Sequence, residues 1–259
     1  MAIEQRFVFD QVAQLYDRVR PGYPEALVDD VVALSGIAPG GPILEIGAGT
    51  GQATEAFARR GFRLRCLEPG AAMREVARAR LARFAHVEIQ PHTFEDWPLE
   101  AGAFDLVIAA QSFHWVTPEL RFTKTAAALR PAGALAVFGN TVRSEPTPLR
   151  AALDQAYARH APALLGRGGA CWYSAGPDMV KPFDDSKLYG PVEWRRHPWS
   201  RTYAPDEYVD LMRTQSDHRL LPEAQRETLL AAVRDAIERH GGRAEVSYEA
   251  HLYLARRAP

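Results

Sequence analysis

Lysine is almost missing from this 259-residue chain: Lys124, Lys181 and Lys187 are the only three, so arginine carries nearly all the positive charge. Genome composition explains that bias at least as well as anion binding does. The 31 basic residues face 32 acidic ones, a formal net charge of −1, so no chain-wide field draws nucleic acid, and no nucleic-acid partner is expected. Cysteine is scarce too. Cys66 and Cys171 supply neither a disulfide framework nor the ligand spacing of a zinc site, and they fit a reducing compartment. No run approaches the roughly 18 apolar residues of a spanning helix. The first residues, with Glu4, Gln5 and Arg6, lack the apolar core of a signal peptide. A cytoplasmic protein without a membrane partner is expected. No repeat and no linker divides the chain, and 47% hydrophobic residues are enough for a packed globular core.

What is present concentrates between Ile43 and Thr54. Ile43, Leu44 and Ile46 form a short apolar run of the kind buried on both faces of a sheet. Gly47, Gly49 and Gly51 follow at alternate positions, and a helix starts directly after them. Without Cβ atoms such a turn adopts backbone angles closed to other residues and lets a ligand approach the main chain, with unpaired N–H groups of the next helix facing it. The spacing is not that of the dinucleotide fingerprint, because Gln52 stands where its third glycine belongs. No Gly-Lys-Ser/Thr follows, which excludes a Walker loop.

Helix and strand periods alternate along residues 36–140, giving five strands of a parallel sheet covered on both faces. Residues 1–35 read as an N-terminal arm and helix, with Tyr16, Arg18, Arg20 and Tyr23 bunched at the Pro21-Gly22-Tyr23-Pro24 stop. A helix is expected from Glu119 to Arg130. Residues 141–191 read as a lid-like insertion, irregular from Gly166 to Pro191, where Trp172, Tyr173, Phe183 and Tyr189 argue for a packed cover. Residues 192–259 supply the closing strands and helices of a single domain. The βαβ order puts Glu68 at the carboxyl end of the strand beside the glycine turn, near the ~20-residue distance expected of a ribose-binding carboxylate. Glu95 and Asp96 are adjacent loop residues that need not face each other, so a paired-carboxylate acid/base role is set aside.

Glu45-x-Gly47-x-Gly49-x-Gly51, then Glu68, then Phe104-Asp105-Leu106-Val107 before a polar and aromatic loop resemble the class I S-adenosylmethionine-dependent methyltransferases. Arg20-Pro21-Gly22-Tyr23-Pro24 and Gln111-Ser112-Phe113-His114-Trp115 resemble the small-molecule subset that includes the trans-aconitate methyltransferases. The resemblance covers about residues 7–139. It implies an α/β fold: a Rossmann-like, doubly wound seven-stranded sheet with the last strand antiparallel. It also implies S-adenosylmethionine as cofactor, no metal, and a cofactor site at Glu45, Gly47, Gly49, Gly51, Glu68, Thr93, Phe94 and Gln111. Thr93 stands where the family often has aspartate for the adenine amine. The acceptor is expected to be a small molecule held by Tyr16, Arg20, Tyr23 and Trp115.

A sulfonium already makes its methyl group electrophilic, so the protein has to align a nucleophile and exclude water. For a hydroxyl or amine acceptor, His114 is the candidate base. A packed structural histidine is the equal alternative. For a carboxylate no base is needed, and Arg18, Arg20, Arg196 or Arg201 could clamp it. A non-catalytic cofactor-binding module and, behind it, a nucleic-acid methyltransferase are the other readings.

Overall fold

In the computed structural model, which describes residues 8–165, 173 and 176–259, the arm is a 3-10 turn, Val8–Val12, followed by α1 (Ala13–Val19). Helix α2 (Glu25–Ser35) stops at Gly36, whose φ of 62° is the left-handed conformation that ends helices. Then come β1 (Pro42–Ile46), α3 (Gln52–Ala58), β2 (Arg63–Leu67), α4 (Ala71–Leu81), β3 (Val87–Gln90) and β4 (Phe104–Ala110). A 3-10 turn, Phe113–Trp115, precedes α5 (Pro118–Ala128) and β5 (Leu129–Arg143). The remainder is α6 (Pro148–His160), α7 (Pro177–Ser186), β6 (Glu193–Tyr203), α8 (Pro205–Arg213), α9 (Ser216–Arg219), α10 (Glu223–Arg239) and β7 (Ala244–Arg256).

The strands form one sheet in the order β3-β2-β1-β4-β5-β7-β6, with β7 antiparallel to both its neighbours. The doubly wound sheet expected from the sequence is therefore present. Its apolar runs alternate between two cores: Leu44, Val107 and Leu135 face one side, and Ile43, Leu106 and Ala134 the other. A third core joins α6, α8 and α10 to the far end of β7 through residues such as Leu153, Val209, Leu229 and Tyr248. Strand order reverses between β1 and β4, so the loops leaving their carboxyl ends diverge and open a crevice. No helix among the described residues is long and apolar enough to cross a membrane.

Three boundaries differ from expectation. Helix α5 ends at Ala128 rather than Arg130, because Leu129 pairs with Phe104 in the sheet and Arg130 precedes Pro131, which disfavours the helical region. Strand β5 continues past residue 140, the expected end of the alternating core, to Arg143, carried by pairing with β7 up to Ser247. The stretch read as irregular contains α7, which starts on Pro177 and buries Met179 and Phe183 one turn apart. Phe183 and Tyr189 pack on Phe122 of α5, so they buttress the core beneath the sheet rather than cover a site. Trp172 lies outside the described residues.

Candidate active site

The crevice between β1 and β4 is built on close contact of their loops. Gly47, Gly49 and Gly51 have φ values of 68°, 60° and 89°. A Cβ on Gly47 would lie 2.6 Å from the Ser112 Cβ, and the Ser112 hydroxyl donates to the Ile46 carbonyl, tying the two loops together. A Cβ on Gly49 would meet nothing within 4 Å. The turn's own amides are not left open, contrary to a simple cradle. Gly47 and Ala48 donate to the Leu67 carbonyl at 2.9 and 3.0 Å, and Gly51 donates to Ala48 at 2.9 Å. The Gly49 N–H donates to Glu68 Oε2 at 2.8 Å, and the Gly70 N–H to Glu68 Oε1 at 2.8 Å. Glu68 thus clamps the glycine turn against the end of β2, and burial raises its pKa against the pull of these two amides.

A cavity of about 380 Å³ opens in front of this clamp. Its walls bring together every residue placed in the site by sequence except Gly51, whose Cβ position points instead at the Leu81 side chain of α4. Glu45 is 1% exposed; its Oε2 accepts from the Thr54 hydroxyl at 2.6 Å, while its Oε1 is buried with no hydrogen-bond partner among the described residues. The Gln52 amide nitrogen is also buried without one. Thr93 accepts the Asp96 N–H at 3.2 Å, shaping the loop after β3, and Phe94 lies beneath it stacked on Trp97 with ring centroids 6.3 Å apart. Glu95 accepts the N–H and hydroxyl of Thr117 and so is a loop anchor.

At the other end of the cavity stand the arm and the β4 loop. Gln111 has a φ of 52°, an unusual left-handed conformation for a side-chain-bearing residue, fixed by its N–H on the Phe138 carbonyl at 2.8 Å. Its side chain accepts from Tyr23 at 3.3 Å. His114 packs on Trp115 at 4.5 Å between ring centroids, and its Nδ1 lies 3.2 Å from the Tyr173 hydroxyl. Burial, with the Arg121 charge behind it, pushes the His114 pKa down to about 4. Arg20 lies over the Tyr16 ring. Its Nε binds the Thr214 hydroxyl at 2.9 Å and its Nη2 the Thr214 carbonyl at 2.6 Å and Gln215 Oε1 at 3.2 Å.

Of the four arginines considered as clamps, Arg20 is the one that lines the cavity. Arg18 pairs with Asp210 outside it, Arg196 lies over Trp194 on the exposed side of β6, and Arg201 lies over Tyr203. A carboxylate clamp from those three is overturned: sequence spacing did not show which face each would take. Sequence reasoning also passed over Gln52, Gln215 and Ser216 and named Tyr173 only as part of a packed cover; all four stand in the cavity wall. Gln52 was noted only as the residue that breaks a glycine pattern. The other three enter by long-range packing that no local signal reports.

Residues 44–137 match the sequence profile of the methyltransferase domain family described as "Methyltransferase domain". An uncharacterized methyltransferase of Mycobacterium tuberculosis is 28% identical over 90% of this chain and 86% of its own. One from Schizosaccharomyces pombe, an uncharacterized methyltransferase-like protein, is 27% identical over 83% and 80%. In fold, the chain is similar to a candidate type II methyltransferase of Anaeromyxobacter dehalogenans, with a TM-score of 0.63, 23% identity, and coverage of 93% of this chain and 99% of that one. It is also similar to phosphoethanolamine N-methyltransferase 2 of Haemonchus contortus bound to S-adenosylhomocysteine, with a TM-score of 0.57, 13% identity, and coverage of 96% and 58%. With a matching domain profile over residues 44–137, methyltransferase relatives along most of its length and the seven-stranded sheet, this chain is similar to the class I S-adenosylmethionine-dependent methyltransferases.

Proposed function

We propose that the enzyme methylates a small, anionic acceptor, a carboxylate, to give a methyl ester. The observation that carries this reading is Arg20. Among the described cavity-lining residues it is the one lysine or arginine, and its Nε and Nη2 are fixed on the α8–α9 turn while Nη1 has no hydrogen bond. A guanidinium held rigid through Nε and Nη2 offers its Nη1 N–H groups to a carboxylate at little entropic cost. The cofactor half of the cavity fits S-adenosylmethionine. Glu45 Oε1 is a buried acceptor lacking a donor and Gln52 Nε2 a buried donor lacking an acceptor, and an aminoacyl group carries the complement of both. The space beyond Gly49 accommodates a ligand where a side chain would stand. Glu68 retains lone pairs for ribose hydroxyls, and Thr93 and Phe94 border the base. Bound S-adenosylmethionine supplies the electrophilic methyl group.

A carboxylate attacks through an existing lone pair and no proton has to leave. His114, held neutral well below its usual range, is a weak base and serves to position. At saturating cofactor, turnover should therefore show no His114 titration between pH 5.5 and 8. His114→Gln should keep the rate within about tenfold, whereas loss of a general base costs about 100-fold or more. The lowered pKa also has a sign for stability: the unfolded histidine takes a proton below about pH 6.5 and the folded one only near 4. Its contribution is complete above pH 6.5 and lost as pH falls to 4.

The acceptor class is tested by transfer of labelled methyl from S-adenosylmethionine to a metabolite extract. The expected product releases its label as methanol in mild alkali. Arg20→Met should reduce transfer about 100-fold, the cost of unpairing a partly buried charged contact, with cofactor affinity within about twofold of wild type. Alkali-stable label would move the acceptor to a hydroxyl or amine. No transfer at all would favour the non-catalytic module.

A further inference from the structure

Glu45 is a carboxyl group with one oxygen used and one not. Helix α3 presents Thr54 to it, which donates to Oε2, and Gln52 lines the same cavity. Strand β2 presents Cys66, whose thiol is 3.6 Å from Oε2, and beyond it Glu68, whose charge opposes ionisation of Glu45. On the β4 side the register neighbour is Ile108, and Ser112 is bound to the Ile46 carbonyl. From the arm comes Asp10, another carboxylate, which accepts the Met73 N–H. Arg74 acts on Glu68 but gives its Nη1 to the carbonyls of Glu68 and Pro69. Among the described residues no cation is therefore set against Glu45. A buried carboxylate without one is costly, and the group stays neutral instead. Burial raises its pKa to about 7, against the Thr54 and Cys66 hydrogen bonds.

We propose that Glu45 exchanges its proton for the ammonium group of the cofactor. Before binding, the acid carries the proton on Oε1, at the cavity wall. On binding, that proton leaves to solvent, and the carboxylate pairs with the ammonium, which keeps its own three protons. Charge balances: a neutral acid and a cation become an ion pair plus one released hydrogen ion. The inference rests on the reading that Glu45 faces the aminoacyl end of the cofactor. Its consequence is that hydrogen ions compete with the cofactor in mildly acid solution.

The test is calorimetry with S-adenosylhomocysteine, which keeps the ammonium and lacks the sulfonium, in buffers of different ionisation enthalpy. At pH 6 the heats should differ by the release of between about half and one proton per site. Affinity should rise several-fold to tenfold per pH unit from pH 5 to 6.5 and flatten above 7.5. Glu45→Gln should bind with buffer-independent heat. Should that variant not fold, 5′-methylthioadenosine, which lacks the ammonium, should bind the wild type without proton release. Buffer-independent heat for the wild type with S-adenosylhomocysteine overturns the exchange while leaving the cofactor site standing. Proton release with methylthioadenosine, or with folded Glu45→Gln, overturns it too. Absence of any binding overturns the site reading itself.

Discussion

Gly49→Val is expected to abolish measurable S-adenosylmethionine binding, a loss of at least about 100-fold, in a chain that still folds. The position has φ 60°, and its Cβ would meet no protein atom within 4 Å. The valine Cβ would therefore clash with nothing in the protein, and the side chain would extend into the space of the cavity. Its cost to stability is backbone strain, roughly 1–2 kcal/mol or somewhat more for a branched side chain. Gly61→Val separates the two effects, since Gly61 has φ 81°, equally open surroundings and no place in the cavity wall. Both variants should melt several degrees below wild type, and only Gly49→Val should lose calorimetric heat with the cofactor. Wild-type affinity in Gly49→Val would place the cofactor elsewhere.

The second large effect belongs to Glu68→Gln. Both carboxylate oxygens accept backbone N–H groups, from Gly49 and Gly70, at 2.8 Å. Glutamine has nearly the same shape but must turn an amide NH₂ toward one of those donors. It loses a charge-assisted bond of about 1.5–3 kcal/mol, and leaving a buried amide unpaired adds about 1–3 kcal/mol. The turn would then loosen at Gly49 while Gly47 and Ala48 stay bonded to the Leu67 carbonyl, and cofactor affinity should fall about 100-fold by calorimetry. Binding within threefold of wild type would mean that the clamp does not set the shape of the turn.

The parallel core was legible because its signals are local. Ile43, Leu44 and the run from Phe104 to Ala110 are apolar on both faces, and glycines, prolines and helix periods divide the rest. Glu68 was legible through its distance from the glycines and the handedness of a βαβ unit. Legibility ended where the wall is made by distant packing. Tyr173 reaches His114 because Tyr253 on β7 donates to the Tyr173 carbonyl and because Gly139 leaves room: a Cβ there would lie 2.7 Å from the Tyr173 ring. Nothing near Tyr173 in sequence encodes that. Helix α7 was hidden by Pro177 and Pro182, residues that usually mark breaks. The arginines misled for a different reason: a long flexible side chain takes its partner from whatever tertiary structure surrounds it, and Arg18, Arg196 and Arg201 found theirs away from the cavity.

The bond between Arg20 and Gln215 spans 195 residues. During synthesis the arm emerges early and, at roughly 5–20 residues per second, waits on the order of 10–40 s for the turn that fixes it. Glu45, Glu68 and the loop through Trp115 are translated well within that interval, with their sheet still lacking β6 and β7. The Arg20 end of the cavity is thus assembled after the walls at Glu45 and Glu68, and a nascent chain can acquire those walls long before the turn that fixes Arg20 exists.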